Sequence, residues 1–179
     1  MSFSAQLLRG VRVTLILWLL TVVVITLPML GLARLVAPDA ADGSLLRRGD
    51  QVVGASLIGQ SFRSARYLQG RPAGARNLAA SNPELAARVA DAASAWALAG
   101  VAKPAPELLL DSASGVDPHI SLVAARQQFP RLARERQISV AELEALLGQA
   151  QEGPLGLQAI EPVVNVLSFN LALDSRRPS

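Results

Sequence analysis

The sequence has no cysteine, which removes disulfides, thiolate nucleophiles and thiolate-bound metals at once. It has one histidine, His119, and a single imidazole cannot build a histidine-rich metal site. As a triad base, His119 needs a nucleophile and an orienting acid. Ser112, Ser114, Asp111 and Asp117 lie near it in sequence, but loops of this composition are common. A structural histidine in a turn is the simpler reading. There is no G-x-x-x-x-G-K-[ST] phosphate loop and no G-x-G-x-x-G fingerprint. An ATPase working through a phospho-aspartate requires a complete nucleotide domain, and 179 residues leave no room for one. No catalytic residue and no metal ligand is therefore assigned.

Charge of one sign is also missing from most of the chain. The formal charge of +3 is accounted for by Arg9, Arg12 and Arg34, because from Leu35 onward 14 basic residues face 14 acidic ones. A neutral domain lacks the electrostatic footprint that phosphate backbones require, so a nucleic-acid partner is excluded despite a pI near 10.5.

What the chain does have is a long uncharged run, Val13 to Ala33. As a helix rising about 1.5 Å per residue it spans roughly 31 Å, the thickness of a bilayer's hydrocarbon core. The arginines bracket it, as expected at a membrane span. A secretory signal is the alternative: Arg9 and Arg12 as n-region, Val13 to Leu27 as h-region, and Gly31-Leu32-Ala33 as a small-x-small cleavage site. The run continues past Pro28 and exceeds the usual h-region, so a retained span is expected. The positive-inside rule is close to a tie, since Arg34, Arg47 and Arg48 follow the run. Long domains translocate largely regardless of charge, so a short cytoplasmic tail with the domain outside is the default. Thr21, Thr26 and Gly31 are the residues within the run able to mediate helix contacts in lipid.

The expected layout is a tail over 1–12, a span over 13–33, a linker over 34–50, a domain over 51–174 and a tail over 175–179. Within the domain, Gln51 to Gly59 reads as a buried strand with two glycines. Tyr67 to Ala75 is a turn-rich loop. Ser81 to Glu84 reads as a capping box ahead of a helix that buries Leu85, Val89, Ala92 and Trp96 and ends near Gly100. Glu107 to Leu110 is a short strand candidate, and Asp111 to Ser121 a loop. Ser121 caps a helix to Gln128, where Pro130 bends or breaks it. Ser139 to Glu142 is a second capping box, opening a helix to about Gln151 with Leu143, Leu146 and Leu147 inward. Val163 to Leu173 alternates as a strand with Leu167, Phe169, Leu171 and Leu173 on one face. The order strand, helix, strand, two helices, strand predicts a small α+β or α/β domain behind one transmembrane helix.

Taken one at a time, these segments have structural readings: Gly54 and Gly59 as close backbone approaches, Asp117-Pro118 as a turn. Together they resemble a family. Gly54 to Gln60 with Phe62, Tyr67 and Gly70-Arg71-Pro72 resembles the C subunit of the Kdp potassium-transporting ATPase, KdpC. So do Asn77-Leu78, Ser81 to Leu85, the loop Ser114-Gly115-Val116-Asp117-Pro118-His119-Ile120-Ser121, Gln128-Phe129-Pro130-Arg131 with Ala133, Arg134 and Arg136, Pro162 to Leu167, and Asn170 to Leu173. Two departures stand out: Gly74-Ala75-Arg76 replaces a glycine pair behind a shorter loop, and Ala73 replaces a serine.

The resemblance implies an accessory subunit and not an enzyme. In the family's complex a separate P-type subunit hydrolyses ATP and a channel-like subunit binds potassium. The C subunit is credited with assembly and with a chaperone-like rise in the catalytic subunit's ATP affinity. ATP and K+ are thus handled by the complex, and this chain carries no cofactor of its own. The implied docking and structural residues are Gly54, Gly59, Gln60, Arg71, Pro72, Asn82, Ser114, Gly115, Asp117, Arg131, Asn165 and Asn170. The competing readings are a membrane-anchored extracytoplasmic ligand-binding module and a small hydrolase using a loop serine with His119.

Overall fold

A computed structural model describes residues 2–74, 76–152 and 161–176. Ala75 and the last three residues of the expected C-terminal tail lie outside the described residues. The chain divides into two units, Met1–Leu45 and Leu46–Ser179.

The first unit is dominated by one helix, Phe3–Val36, long and apolar enough to cross a membrane. It comprises α1 (Phe3–Thr21), a π-helical turn (Val22–Thr26) and α2 (Leu27–Val36). No residue of it is buried. The uncharged run predicted the span; the helix extends it on both sides, and no proline interrupts Phe3 to Arg12. A short α3 (Pro38–Ala41) follows, and Arg34 reaches Asp42 at 3.2 Å. The segment expected as a linker has short elements of its own. It holds α3 and the strand β1 (Leu45–Arg48), which turns at Gly49 (φ +59°) into β2 (Gln51–Ala55).

The expected strand to Gly59 stops at Ala55. Ile58 N–H turns back to Ala55 C=O, and Gly59 N–H leaves for Val116 C=O at 2.7 Å. Helix α4 (Pro83–Leu98) is capped by Asn82, whose side chain accepts Glu84 N–H. The cap is one residue later than the Ser81 box predicts, because Pro83 fits the first helical position and Asn82 already supplies the oxygen. Of its predicted stripe only Trp96 is fully buried, while Leu85, Val89 and Ala92 are half-buried. Gly100 at φ +92° ends the helix in the left-handed region.

The predicted strand Glu107–Leu110 is instead a 3₁₀ turn, Pro106–Leu108. Pro106 favours that first-turn geometry, and Trp96 Nε1 donates to Leu108 C=O. The loop 111–121 ends in a strand that the sequence reading missed, β3 (His119–Ser121). Ser121 then caps α5 (Leu122–Gln127), which Pro130 separates from α6 (Phe129–Arg136). The Ser139 capping box forms and opens α7 (Val140–Ala150), with Leu143, Leu146 and Leu147 buried.

The largest correction is at the C-terminus. Only Val163–Asn165 is strand (β5), and Val166–Ser175 is helix α8. The same segment also presents a helical face, Val166, Phe169 and Leu173 with the polar Asn170, all buried. Asn165 decides between the two periods by accepting Ser168 N–H as an N-cap. Strand β5 lies between β3 and the two-residue β4 (Gln151–Glu152), both antiparallel, with His119 opposite Asn165. The domain is therefore a small helix-and-strand fold compatible with α+β. Its core joins Leu68, Leu108, Ile120, Phe129, Leu132, Leu147, Val164 and Phe169, and Phe129 stacks on Phe169 at 6.2 Å.

Candidate functional site

Two polar constellations organise the domain, and both hold irregular backbone. The first gathers around Asp117. Gly115 at φ +73° closes the loop, and its N–H bonds Ser112 C=O. Ser114 Oγ accepts Val116 N–H, and Ser112 Oγ accepts Asp117 N–H. Asp117 Oδ1 accepts His119 N–H at 3.0 Å, while its Oδ2 lies 3.1 Å from Arg71 Nε. That nitrogen is buried, and its placement makes a charge contact without hydrogen-bond geometry. Pro118 C=O accepts Val166 N–H, which ties the loop to the first turn of α8.

Gly59 belongs to this contact by necessity. A Cβ there would sit 2.5 Å from Asp117 C=O oxygen and 3.1 Å from that of Val116, both backbone. Gly54 is close-packed differently: a Cβ would collide with the Gln60 carboxamide and reach 2.7 Å from Leu167 Cδ2, both side-chain ends. Asn165 secures the adjoining turn, donating from Nδ2 to Ser56 C=O at 2.8 Å while its Oδ1 caps α8. Six predicted residues thus line one cleft: Gly59, Gln60, Arg71, Pro72, Gly115 and Asp117. Gly54, Ser114 and Asn165 support its walls.

Beside it, sharing Arg71 and Pro72, runs an open groove of about 410 Å³ lined by Ala92, Ala95 and Trp96 of α4 and by Ala99 just after it. Small side chains with one guanidinium at the rim suit shape recognition.

The second constellation clamps the segment Ala65–Gln69. Asn170 is buried; its Oδ1 accepts Leu68 N–H and its Nδ2 donates to Leu68 C=O, each at 2.9 Å. Gln128, also buried, does the same for Gln69 at 2.9 Å twice. Two carboxamides thereby play the part of a neighbouring strand. Arg131 donates to the carbonyls of Ala65 and Tyr67 and to Gln128 Oε1. Burial pushes the Arg131 guanidinium below its ordinary pKa, since every acceptor it contacts is neutral.

Nearby, Asp174 is the anchor of a charged node. It accepts from Arg48 Nη2 at 2.6 Å, Arg136 Nη2 at 2.7 Å and Tyr67 Oη at 3.0 Å. Arg136 also lies 4.6 Å over the Tyr67 ring. Burial opposes charge on Asp174, but the three donors outweigh it and hold its carboxyl below the usual range.

Asn82 alone of the predicted residues lies away from both constellations, as the α4 cap. Arg131 and Asn170 sit in the clamp, not at the Asp117 cleft. Sequence reasoning missed Gln128 as a functional partner of Asn170, although a Gln between apolar Ala125 and Phe129 was a visible signal. It missed Asp174, Arg136, Tyr67 and Arg48 as a node, and nothing local links residues 48 and 174. The loop serines are used in shaping the loop: Ser114 Oγ and Ser112 Oγ accept loop N–H groups and lie 3.4 Å from each other. Among the described residues no group of three His, Asp or Glu side chains is placed to hold a metal.

Comparison with known proteins covers both units. Residues 7–175 match the family model described as "K+-transporting ATPase, c chain". The chain is 44% identical over 177 residues to a potassium-transporting ATPase KdpC subunit of Methylibium petroleiphilum, covering 90% of this chain and 93% of that one. It is 41% identical over 185 residues to the KdpC subunit of a Synechocystis species, covering 93% and 96%. Against KdpC subunit 1 of a Nostoc species it is 37% identical over 204 residues, with both chains covered in full. The matches run through the apolar helix, the Asp117 cleft and the clamp alike, and the chain belongs to the KdpC family, the c chain of K+-transporting ATPases.

Proposed function

We propose that this chain is the accessory subunit of an ATP-driven potassium import complex. It supports assembly and raises the ATP affinity of a separate catalytic P-type subunit, alongside a channel-like subunit that binds the ion. The observation that carries this reading is the helix Phe3–Val36, long and apolar enough to cross a membrane, in front of a domain that the same family match includes. An apolar helix of that length suits a bilayer, where other helices can pack on it. Within the domain, Asn170, Gln128 and Asn165 are occupied in shaping backbone.

The domain lies outside the cytoplasmic membrane in this proposal, with the N-terminus inside. An influence on ATP affinity then crosses the bilayer by biasing the catalytic subunit's conformational equilibrium, not by touching nucleotide. The cysteine-free sequence makes the test clean. Ser4 and Ser175 are both exposed. In intact cells a membrane-impermeant thiol reagent should label Ser175→Cys and leave Ser4→Cys unlabelled. The reverse pattern places the domain in the cytoplasm. Purification from native membranes should bring down large polytopic partners. The groove beside Arg71 favours one rival, an anchored ligand-binding module, and recovery as a stable partner-free monomer would support that instead.

A further inference from the structure

Charge is unevenly spread over a domain whose total is balanced. Asp174, in the last turn of α8, accepts from Arg48 at 2.6 Å and from Arg136 at 2.7 Å. Arg136 Nε also donates to Arg66 C=O at 2.8 Å, so the segment Arg63 to Arg66 runs past the same node. Arg47 stands beside Arg48 on β1. These five arginines meet only Asp174 and, at the hairpin turn, Asp50, which leaves a local surplus of three positive charges. From Leu35 onward basic and acidic residues are equal in number, so the compensating carboxylates lie elsewhere in the domain.

Two members of that surplus are unspent. Arg63 and Arg66 are exposed, and their guanidinium groups have no ion pair among the described residues. A turn closed by Tyr67 N–H on Ser64 C=O presents them, and the Phe62 and Tyr67 rings meet at its base, 5.4 Å apart. Arg48 is 57% exposed even while bonded to Asp174. Guanidinium groups match phosphate oxygens by paired N–H donation. A balanced domain exerts little long-range attraction, and exposed charges are screened beyond about 8 Å at physiological salt. The patch therefore acts on an anion that is already held close. Arg48 follows Ala33, the end of the uncharged run, by 15 residues, which reach at most roughly 50 Å when extended. The anion that such a tether keeps within reach is the headgroup layer of the bilayer.

Resting on the reading of this chain as a membrane subunit, we infer that Arg48, Arg63 and Arg66 form a docking face for anionic lipid headgroups, which seats the domain on the bilayer. Headgroup phosphates accept from Arg63 and Arg66, whose donors the chain leaves unused. Asp174 opposes this little, because Arg136 and the Tyr67 hydroxyl at 3.0 Å already engage it. The attraction is one of charge. Lysine therefore serves nearly as well as arginine, the charge of the headgroup matters more than its identity, and salt releases the domain.

The test uses the full chain reconstituted in lipid nanodiscs, with a fluorophore on Ser64→Cys, an exposed position between the two arginines in a chain that has no other thiol. Quenching by nitroxide-bearing headgroups reports the docked fraction. Discs containing phosphatidylglycerol should quench strongly and discs of phosphatidylcholine alone weakly. Salt at about 1 M, where the screening length falls to about 3 Å, should erase the difference. Arg63→Gln with Arg66→Gln should lower the docked-to-free ratio in anionic discs roughly ten- to thirty-fold, about five-fold per arginine. Arg63→Lys with Arg66→Lys should stay near the parent. So should Lys103→Gln with Arg126→Gln, which removes two exposed cations outside the face. Equal quenching in neutral and anionic discs overturns the inference, as does parent-like docking of the glutamine pair. Loss of co-purifying subunits from the glutamine pair, with quenching unchanged, also overturns it and gives the face to a protein partner. Alkaline carbonate separates the two levels of failure. Release of the chain from membranes removes the membrane reading itself, whereas a chain that stays embedded with no preference for anionic discs refutes only the lipid-docking face.

Discussion

The two units of this chain solve the same problem, pairing their backbone polar groups, in opposite ways. Along Phe3–Val36 the backbone pairs with itself by local repetition, and side chains contribute almost nothing. The helix is interrupted only where Pro28 and the π-turn break the repeat. In the domain much of the backbone is irregular, and distant side chains complete it. Asn170 serves Leu68 from 102 residues away, Gln128 serves Gln69 from 59, and Asn165 serves Ser56 from 109. A self-sufficient helix tolerates side-chain change as long as it stays apolar. A domain held by carboxamides does not.

The sharpest break in that contrast is Asn170→Leu, which keeps the branching and heavy-atom count of the side chain and strands two buried backbone groups on Leu68. At about 1–3 kcal/mol per orphaned group it should be the most destabilising single change in the domain. Thermal unfolding in detergent checks it, and a melting point equal to the parent's would show that the clamp is dispensable. Replacing apolar residues along the span, such as Leu17→Ile, should leave the same transition unmoved.

Next come the glycines, which should separate. Gly59→Ala meets backbone oxygen at 2.5 Å, so the Asp117 loop must shift. Overpacking of this kind typically costs about 1–3 kcal/mol. Gly54→Ala meets the ends of Gln60 and Leu167, which can rotate aside, and should lose less. Equal effects at both positions would mean that the Gly59 contact is not close in the folded protein.

A smaller effect is expected from acid. The Asp174 carboxyl is held below its ordinary value of 3.8 in the folded state. Its stabilisation is complete above that value and is lost as pH falls through the lower folded value. Stability measured against pH should drop below about pH 4, and Asp174→Asn should flatten part of that drop while lowering stability at neutral pH. Glu107 is displaced in the same direction: burial opposes its charge, but the Ser121 hydroxyl and N–H outweigh it. The slope should therefore not vanish in the Asp174 variant. The smallest effect is expected from His119→Ala. The Asp117 loop keeps its contacts to Arg71 and Ser112, so potassium-stimulated ATPase activity of the complex should stay within a few-fold. Loss of turnover with assembly intact would instead give the imidazole a chemical role.

The sequence by itself determined the features that arise from short-range regularity. A lone uncharged run of this length is legible as a helix suited to a bilayer, because a single segment in hydrocarbon can satisfy its own backbone only that way. Ser139 with Glu142 had to cap α7, since both halves of the reciprocal bond lie within one turn. The tight glycines were legible because a small residue in an apolar stretch marks close approach. The tertiary structure alone decided the rest. Val163 to Leu173 fits both a twofold and a helical period, and only the Asn165 cap with Asn170 clamped on Leu68 selects the helix. The 3₁₀ turn at Pro106 and the strand His119–Ser121 exist because Trp96 and β5 supply their partners. Asp174 gathers Arg48, Tyr67 and Arg136 from segments with no local relation. Such contacts depend on loop closures of tens of residues, and a local pattern carries no record of which distant group will arrive.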